Sequence, residues 1–92
     1  MEIGTAKKAL LANRDLRLEY GFGRDLATKL GLLLPYVRLG TVGRGEKRLV
    51  RREDVDRLIL RATLDGADLW ELAKTHTQES LQAWMQDTRT VN

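Results

Sequence analysis

Residues 35–60 constrain the fold of this 92-residue chain more than any other stretch. A short run rich in β-branched and aromatic residues (36–39) is followed by a segment with three glycines (40–47), and a second short run begins at Arg48. Two such runs around glycines predict a β-hairpin, because glycine adopts the positive φ that tight turns need.

Residues 53–64 form the clearest helical pattern in the chain. Apolar residues recur at the i, i+3, i+4, i+7 spacing of an amphipathic helix, namely Val55, Leu58, Ile59 and Ala62. Acidic residues fill the first turn, where the helix dipole favours negative charge. Arg57 and Arg61 are four residues apart and are predicted to lie on the solvated outer face.

Positive charge is concentrated around the predicted hairpin. The chain carries a net charge of +3, but residues 1–64 hold 14 Lys and Arg against 8 Asp and Glu, whereas residues 65–92 hold 2 against 5. Glu46 is the only acid among the cations of the hairpin, which are Arg38, Arg44, Lys47, Arg48, Arg51 and Arg52. A two-stranded ribbon with a cationic tip suits a phosphate backbone, so the basic part is predicted to meet a polyanion.

Two short helices are predicted before the hairpin. The first starts at Asn13 and is closed by Gly21 as a left-handed C-cap, and the second covers residues 24–30 and is closed by Gly31. This outline is typical of a helix-turn-helix. The predicted core face is Leu16, Tyr20, Phe22, Leu26 and Leu30, and the outward residues of the second helix are Arg24, Asp25, Thr28 and Lys29.

A competing assignment of the helix-turn-helix is also open. In it, the first helix contains residues 26–31 and the second starts at Pro35, a tolerated first position, and continues through Tyr36, Val37 and Arg38. The first assignment is preferred, because Gly40 would cut the competing helix to one turn and that helix would consume the first hairpin strand. Upstream, a short helix capped by Thr5 and ending at Leu11 is predicted.

The sequence Pro-Tyr-Val-Arg-Leu-Gly (35–40), a Gly/Arg turn and Lys-Arg-Leu-Val-Arg-Arg-Glu-Asp-Val (47–55) resemble the wing and following helix of small winged helix-turn-helix proteins. The closest group is the excisionase (recombination directionality factor) family with its MerR-like relatives. The resemblance covers about residues 13–60. The stretch between Gly21 and Gly31 is about one helical turn shorter than the family usually has.

The resemblance implies an α+β, mostly helical, winged helix-turn-helix with a two-stranded β-hairpin wing and additional C-terminal helices. It implies binding of double-stranded DNA, with residues 24–30 as the recognition helix in the major groove and the wing on the backbone or minor groove. The role would be architectural, as in an excisionase, or that of a small transcriptional regulator in the cytoplasm, associated with the nucleoid. The expected DNA-binding residues are Arg24, Asp25, Thr28, Lys29, Arg38, Arg44, Lys47, Arg48 and Arg51.

The acidic C-terminal segment is expected to differ in role from the basic part. Residues 1–64 are predicted to be the winged DNA-binding domain, and residues 65–92 to be a helical segment, as one helix or as two with Thr77 capping the second, for packing or protein–protein contact. The partner of that contact would be a recombinase or another copy of the chain. Two alternatives remain for the DNA-binding interpretation: a protein-binding adaptor on a winged-helix scaffold, and DNA recognition like that of phage terminase small subunits. RNA binding is a third and is less favoured, because few aromatic residues are available for base stacking.

Several classes of protein are not expected. There is no cysteine and only one histidine, which argues against disulfides, metal sites and cofactors. No apolar run approaches the length of a membrane span. The glycines of residues 40–45 lack the Gly-Lys-Ser/Thr ending of a phosphate loop, and Ser80 with His76 lacks a nearby oxyanion glycine, so no enzymatic activity and no small-molecule substrate are predicted.

Overall fold

The computed structural model describes residues 8–41 and 44–86, without the side chains of Thr41 and residues 44–46. Over these residues the chain forms an α+β fold with a three-stranded antiparallel sheet and five helices. The elements are β1 (Leu10–Leu11), α1 (Asn13–Tyr20), α2 (Arg24–Leu33), β2 (Tyr36–Thr41), β3 (Arg44–Arg51), α3 (Arg52–Asp65), α4 (Leu69–Thr75) and α5 (Gln78–Gln86). None of the five helices is long and apolar enough to cross a membrane.

The hairpin predicted from the sequence is confirmed, but its loop is shorter than expected. Strands β2 and β3 pair antiparallel in a sheet of order β1-β3-β2, and they reach Thr41 and Arg44. The prediction of a loop over residues 40–47 is therefore wrong, because cross-strand pairing takes residues 44–47 into β3. Gly40 has φ 106° where the register shifts between Leu39 and Thr41, a bulge conformation that glycine adopts without strain.

The prediction of a helix ending at Leu11 is wrong for all of its described residues, since Lys8 and Ala9 are not helical and Leu10–Leu11 form β1. Leu10 pairs with Arg51 and Leu11 with Val50, and the Arg52 backbone N–H donates to the Ala9 carbonyl at 2.8 Å. The strand is favoured over a helix at Leu10–Leu11 because this pairing satisfies backbone groups of β3 and buries the Leu11 side chain completely. The predicted cap, Thr5, lies outside the described residues.

The two helices before the hairpin are confirmed, although the second is longer than predicted. Gly21 ends α1 with φ 74°, which is the left-handed C-cap expected from the sequence. The prediction that Gly31 closes α2 is wrong: the helix continues to Leu33, and the N–H of the fully buried Leu34 donates to the Leu30 carbonyl at 3.0 Å. The competing helix over residues 35–38 is also wrong, because Tyr36 begins β2.

Helix α3 confirms the amphipathic pattern but not the predicted position of Arg61. The side chains of Val55, Leu58 and Ala62 are buried, as the spacing predicted. Arg61 is only 5% exposed, because α5 covers its side of α3. Its Nε donates to Asp65 at 3.2 Å and its guanidinium carbon lies 5.1 Å from the centre of the Trp84 ring.

The C-terminal segment forms two helices, and it contributes to the same core as the preceding elements. Thr77 caps α5 as predicted, since its hydroxyl accepts from the Ser80 N–H at 3.1 Å while the Ser80 hydroxyl accepts from the Thr77 N–H at 2.9 Å. One continuous apolar cluster contains Leu16, Leu30, Val50, Val55 and Leu58 together with Ala73, Leu81 and Met85. Helices α4 and α5 thus pack on the same core as the elements before them, and this core extends past residue 64.

Polar contacts around Tyr20 attach α1 to α3. The Tyr20 hydroxyl donates to Asp56 at 2.7 Å, and Arg52 donates to Glu19 at 2.7 Å and to the Lys8 carbonyl at 2.6 Å. Burial, followed by the bond to Asp56, raises the pKa of Tyr20 to about 12. These contacts fix the orientation of α1 relative to α3.

Candidate nucleic-acid interface

A groove of about 590 Å³ lies between α1, α2 and β3. Its floor is formed by the buried apolar side chains Leu11, Leu16, Ala27 and Val50, and its rim is formed by Ala12, Asn13, Arg14, Arg17, Thr28, Gly31, Leu32, Lys47 and Arg48. Strand β1 pairs with β3 only at Val50 and Arg51, so the edge of β3 before these residues faces the groove. The groove therefore joins the two N-terminal helices to the hairpin.

The rim of the groove is positively charged. Among the described residues that line it, four are cationic (Arg14, Arg17, Lys47 and Arg48) and none carries a carboxylate. Two of these cations come from α1 and two from β3, which are separated by some 30 residues of sequence. A concave surface with one sign of charge attracts the opposite charge along its length, so this groove suits an extended polyanion.

On the α1 side of the groove, Arg14 and Arg17 lie on the rim, whereas the acidic residue of the first turn is used in other contacts. Arg14 and Arg17 are three residues apart and share one face of α1. Asp15, by contrast, accepts from the Ala12 N–H at 2.9 Å and pairs with Lys8 at 3.2 Å. The bond from Ala12 is the main cause of a lowered pKa of Asp15. The acid of the first turn is thus used to cap α1, and it does not line the groove.

The α2 side presents a polar and apolar stripe between the cations. Thr28 and Leu32 line the groove four residues apart on α2, and Arg24 lies one turn before Thr28 on the same outward face but outside the groove. The Asn13 side-chain amide donates to the Thr28 hydroxyl at 3.4 Å, which connects this face to the start of α1. Leu32 is 52% exposed on the groove rim.

The hairpin brings three of the predicted residues close to one another. Lys47 and Arg48 line the groove, and Arg38 lies directly opposite Arg48 in the pairing of β2 with β3. The guanidinium carbon of Arg48 stacks on Tyr36 at 4.7 Å from the ring centre, which holds its charge beside the sheet. The backbone of Arg44 pairs with Thr41, and the Arg44 side chain lies outside what the structure describes.

The remaining predicted residues are not brought into the groove. Arg51 donates to the buried Asp54 through Nε at 2.9 Å and Nη2 at 3.1 Å, and this bidentate pair raises the pKa of Arg51. Arg24 and Asp25 are exposed, form an ion pair at 3.8 Å and line a second depression beside Trp70. Lys29 lies over the Trp70 ring at 5.7 Å, on the side of α2 that meets α4.

Sequence reasoning missed four residues of the groove: Asn13, Arg14, Arg17 and Leu32. The sequence pattern marks Asn13 only as the start of a helix, and it gives Leu32 no role in binding. One signal was present for Arg14, because a cation in the first turn opposes the helix dipole and so lacks a purely structural reason.

No family model, no curated protein and no solved structure matches this chain.

Proposed function

We propose that this chain is a winged helix-turn-helix protein that binds double-stranded DNA. Helices α1 and α2 would form the helix-turn-helix, and the β2–β3 hairpin would form the wing. The single observation that carries the proposal is the groove, in which cations from α1 and from the hairpin flank the outward face of α2 with no carboxylate among its described lining residues.

In the proposed complex, α2 enters the major groove with Arg24 and Thr28 toward the base edges, and the cations of the rim contact the two flanking phosphate backbones. Phosphate contacts position a protein on the duplex, whereas contacts to base edges supply specificity. The chain is accordingly expected to bind random duplexes measurably and to prefer particular sites.

The resemblance to excisionases supports an architectural role, in which the protein bends its site and meets a recombinase or another copy of itself. A small transcriptional regulator or a terminase-like DNA-recognition protein would use the same groove. A test of DNA bending separates these roles. The binding site is placed at different positions along DNA fragments of constant length, and the gel mobility of each complex is measured. The mobility changes with the position of the site only if the protein bends the DNA. Equal mobility at every position would argue against the architectural role.

The test of DNA binding is a salt titration with a matched pair of variants. Binding of the chain to a fluorescent duplex of about 20 base pairs is measured by anisotropy from about 50 mM to 200 mM salt. If all four rim cations contact phosphate, the slope of log affinity against log salt concentration should be roughly −3.6, or about −0.9 for each cation. Lys47→Gln should reduce this slope by about 0.9. Lys74→Gln makes the same charge change on α4, away from the groove, and should leave the slope unchanged.

Two results would contradict the proposal. If the unmodified chain shows no binding at low salt, the groove does not serve DNA. If Lys47→Gln and Lys74→Gln lower the slope equally, the attraction is a general effect of net charge.

The second candidate function is a protein-binding adaptor, and one observation favours it. One face of the sheet packs against the helices. The other face exposes apolar side chains: Leu10 is 37%, Val37 48% and Leu39 55% exposed. Exposed apolar patches of this kind mark protein contacts in other proteins. An adaptor would not show the salt slope described above.

A further inference from the structure

Leu32 is an unusual member of the groove rim. The groove lining has six leucine, valine and alanine side chains: four form the buried floor, the small Ala12 lies on the rim, and Leu32 is 52% exposed among the cations. A large apolar side chain gains nothing from an aqueous anion or from a phosphate. From this position Leu32 can contact an apolar group of a ligand whose surface is otherwise polyanionic.

The surroundings of Leu32 leave room for a close approach. Gly31 precedes it on the groove rim, and a Cβ added at Gly31 would meet no atom within 4 Å. Thr28 lies one turn earlier on the same face and presents a hydroxyl and a methyl group. A double helix could thus approach the backbone of α2 at this point without a steric barrier from the helix itself.

The major groove of DNA carries one apolar group, the 5-methyl of thymine. We infer that Leu32 is a specificity-determining residue that reads a thymine methyl group at one position of the bound site. This inference rests on the proposed DNA-binding function and deepens it, because it names the base feature that α2 recognises.

The experiment removes the thymine methyl group and the Leu32 side chain separately. A preferred duplex is first selected from a random-sequence pool with the unmodified full chain, and each of its thymines is then replaced singly by deoxyuridine, which lacks only the 5-methyl. At one position this replacement should weaken binding about fourfold, equivalent to the roughly 0.8 kcal/mol of one buried methylene-sized group. At that position Leu32→Ala should bind the thymine and deoxyuridine duplexes equally.

The control is Leu18→Ala, which truncates a leucine that is 70% exposed on α1 and does not line the groove. This variant should retain the fourfold discrimination, and circular dichroism should show both variants folded. The inference is overturned if no thymine replacement changes the affinity, or if Leu32→Ala keeps the discrimination of the unmodified chain. If the chain binds DNA but selects no sequence, Leu32 reads no base and the inference fails alone. If no duplex is bound at all, the proposed function fails with it.

Discussion

Truncation of Leu81 on α5 should destabilise the whole fold. The Leu81 side chain is completely buried in the core that also contains Leu30 and Leu58. Leu→Ala at such a site costs about 2–5 kcal/mol, from lost burial and from the cavity that remains. A chain of this length has a total stability of roughly 5–14 kcal/mol, so the loss is a large fraction of it. The melting temperature should fall by about 8 °C or more.

The assay is urea unfolding followed by two probes. Circular dichroism reports all five described helices, whereas tryptophan fluorescence reports only α4 and α5, because Trp70 and Trp84 are the two tryptophans of the chain. If the C-terminal helices belong to the common core, both transitions should coincide and should shift together in Leu81→Ala.

Leu60→Ala is the matched control for this prediction. It removes the same atoms from a leucine of α3 that is 60% exposed, and it should change the free energy of unfolding by no more than about 0.5 kcal/mol. Equal effects of Leu60→Ala and Leu81→Ala, or a fluorescence transition that precedes the loss of helix, would refute the reasoning. Residues 65–92 would then form a separate unit.

Three further predictions test local features. The pKa of Tyr20 is raised from 10.0 to about 12, so the contribution of Tyr20 to stability should be complete below pH 10 and lost as the pH rises through 12. The difference in unfolding free energy between the unmodified chain and Tyr20→Phe should therefore shrink between pH 10 and 12. Parallel curves of unfolding free energy against pH for the two proteins would contradict this prediction. Gly31→Ala should stabilise α2 by roughly 0.5–1 kcal/mol while weakening DNA binding, and a lower stability would show that the added methyl has no room. Asp68 accepts from the Trp70 and Glu71 amides at 2.8 and 3.3 Å, so Asp68→Ala should cost about 0.5–2 kcal/mol in thermal or urea unfolding, and no loss would mean that water replaces the cap.

The candidate site shows how far local sequence signals reach. Lys47 and Arg48 could be predicted because they sit in a hairpin that glycines and β-branched residues mark locally. Arg17 could not, and for Arg14 the one signal was its unfavourable charge in the first turn of α1, because the place of both residues on the groove depends on how α1 packs against α2 and β3. Arg51 matched the basic pattern equally well, yet the start of α3 places Asp54 where it pairs with that arginine.

By itself, the sequence determined the elements whose signals lie within a few residues. The hairpin strands, the amphipathic face of α3 and the left-handed glycine at the end of α1 follow from backbone sterics and from periodicity, which act over one or two helical turns. Only the tertiary structure decided that Leu10–Leu11 form a strand, that α2 continues to Leu33 and that Arg61 is buried. Each of these outcomes depends on contact with a residue distant in sequence or on a face covered by another element. Such long-range packing overrides local preference, because it buries apolar surface and pairs backbone groups that no neighbouring residue can satisfy.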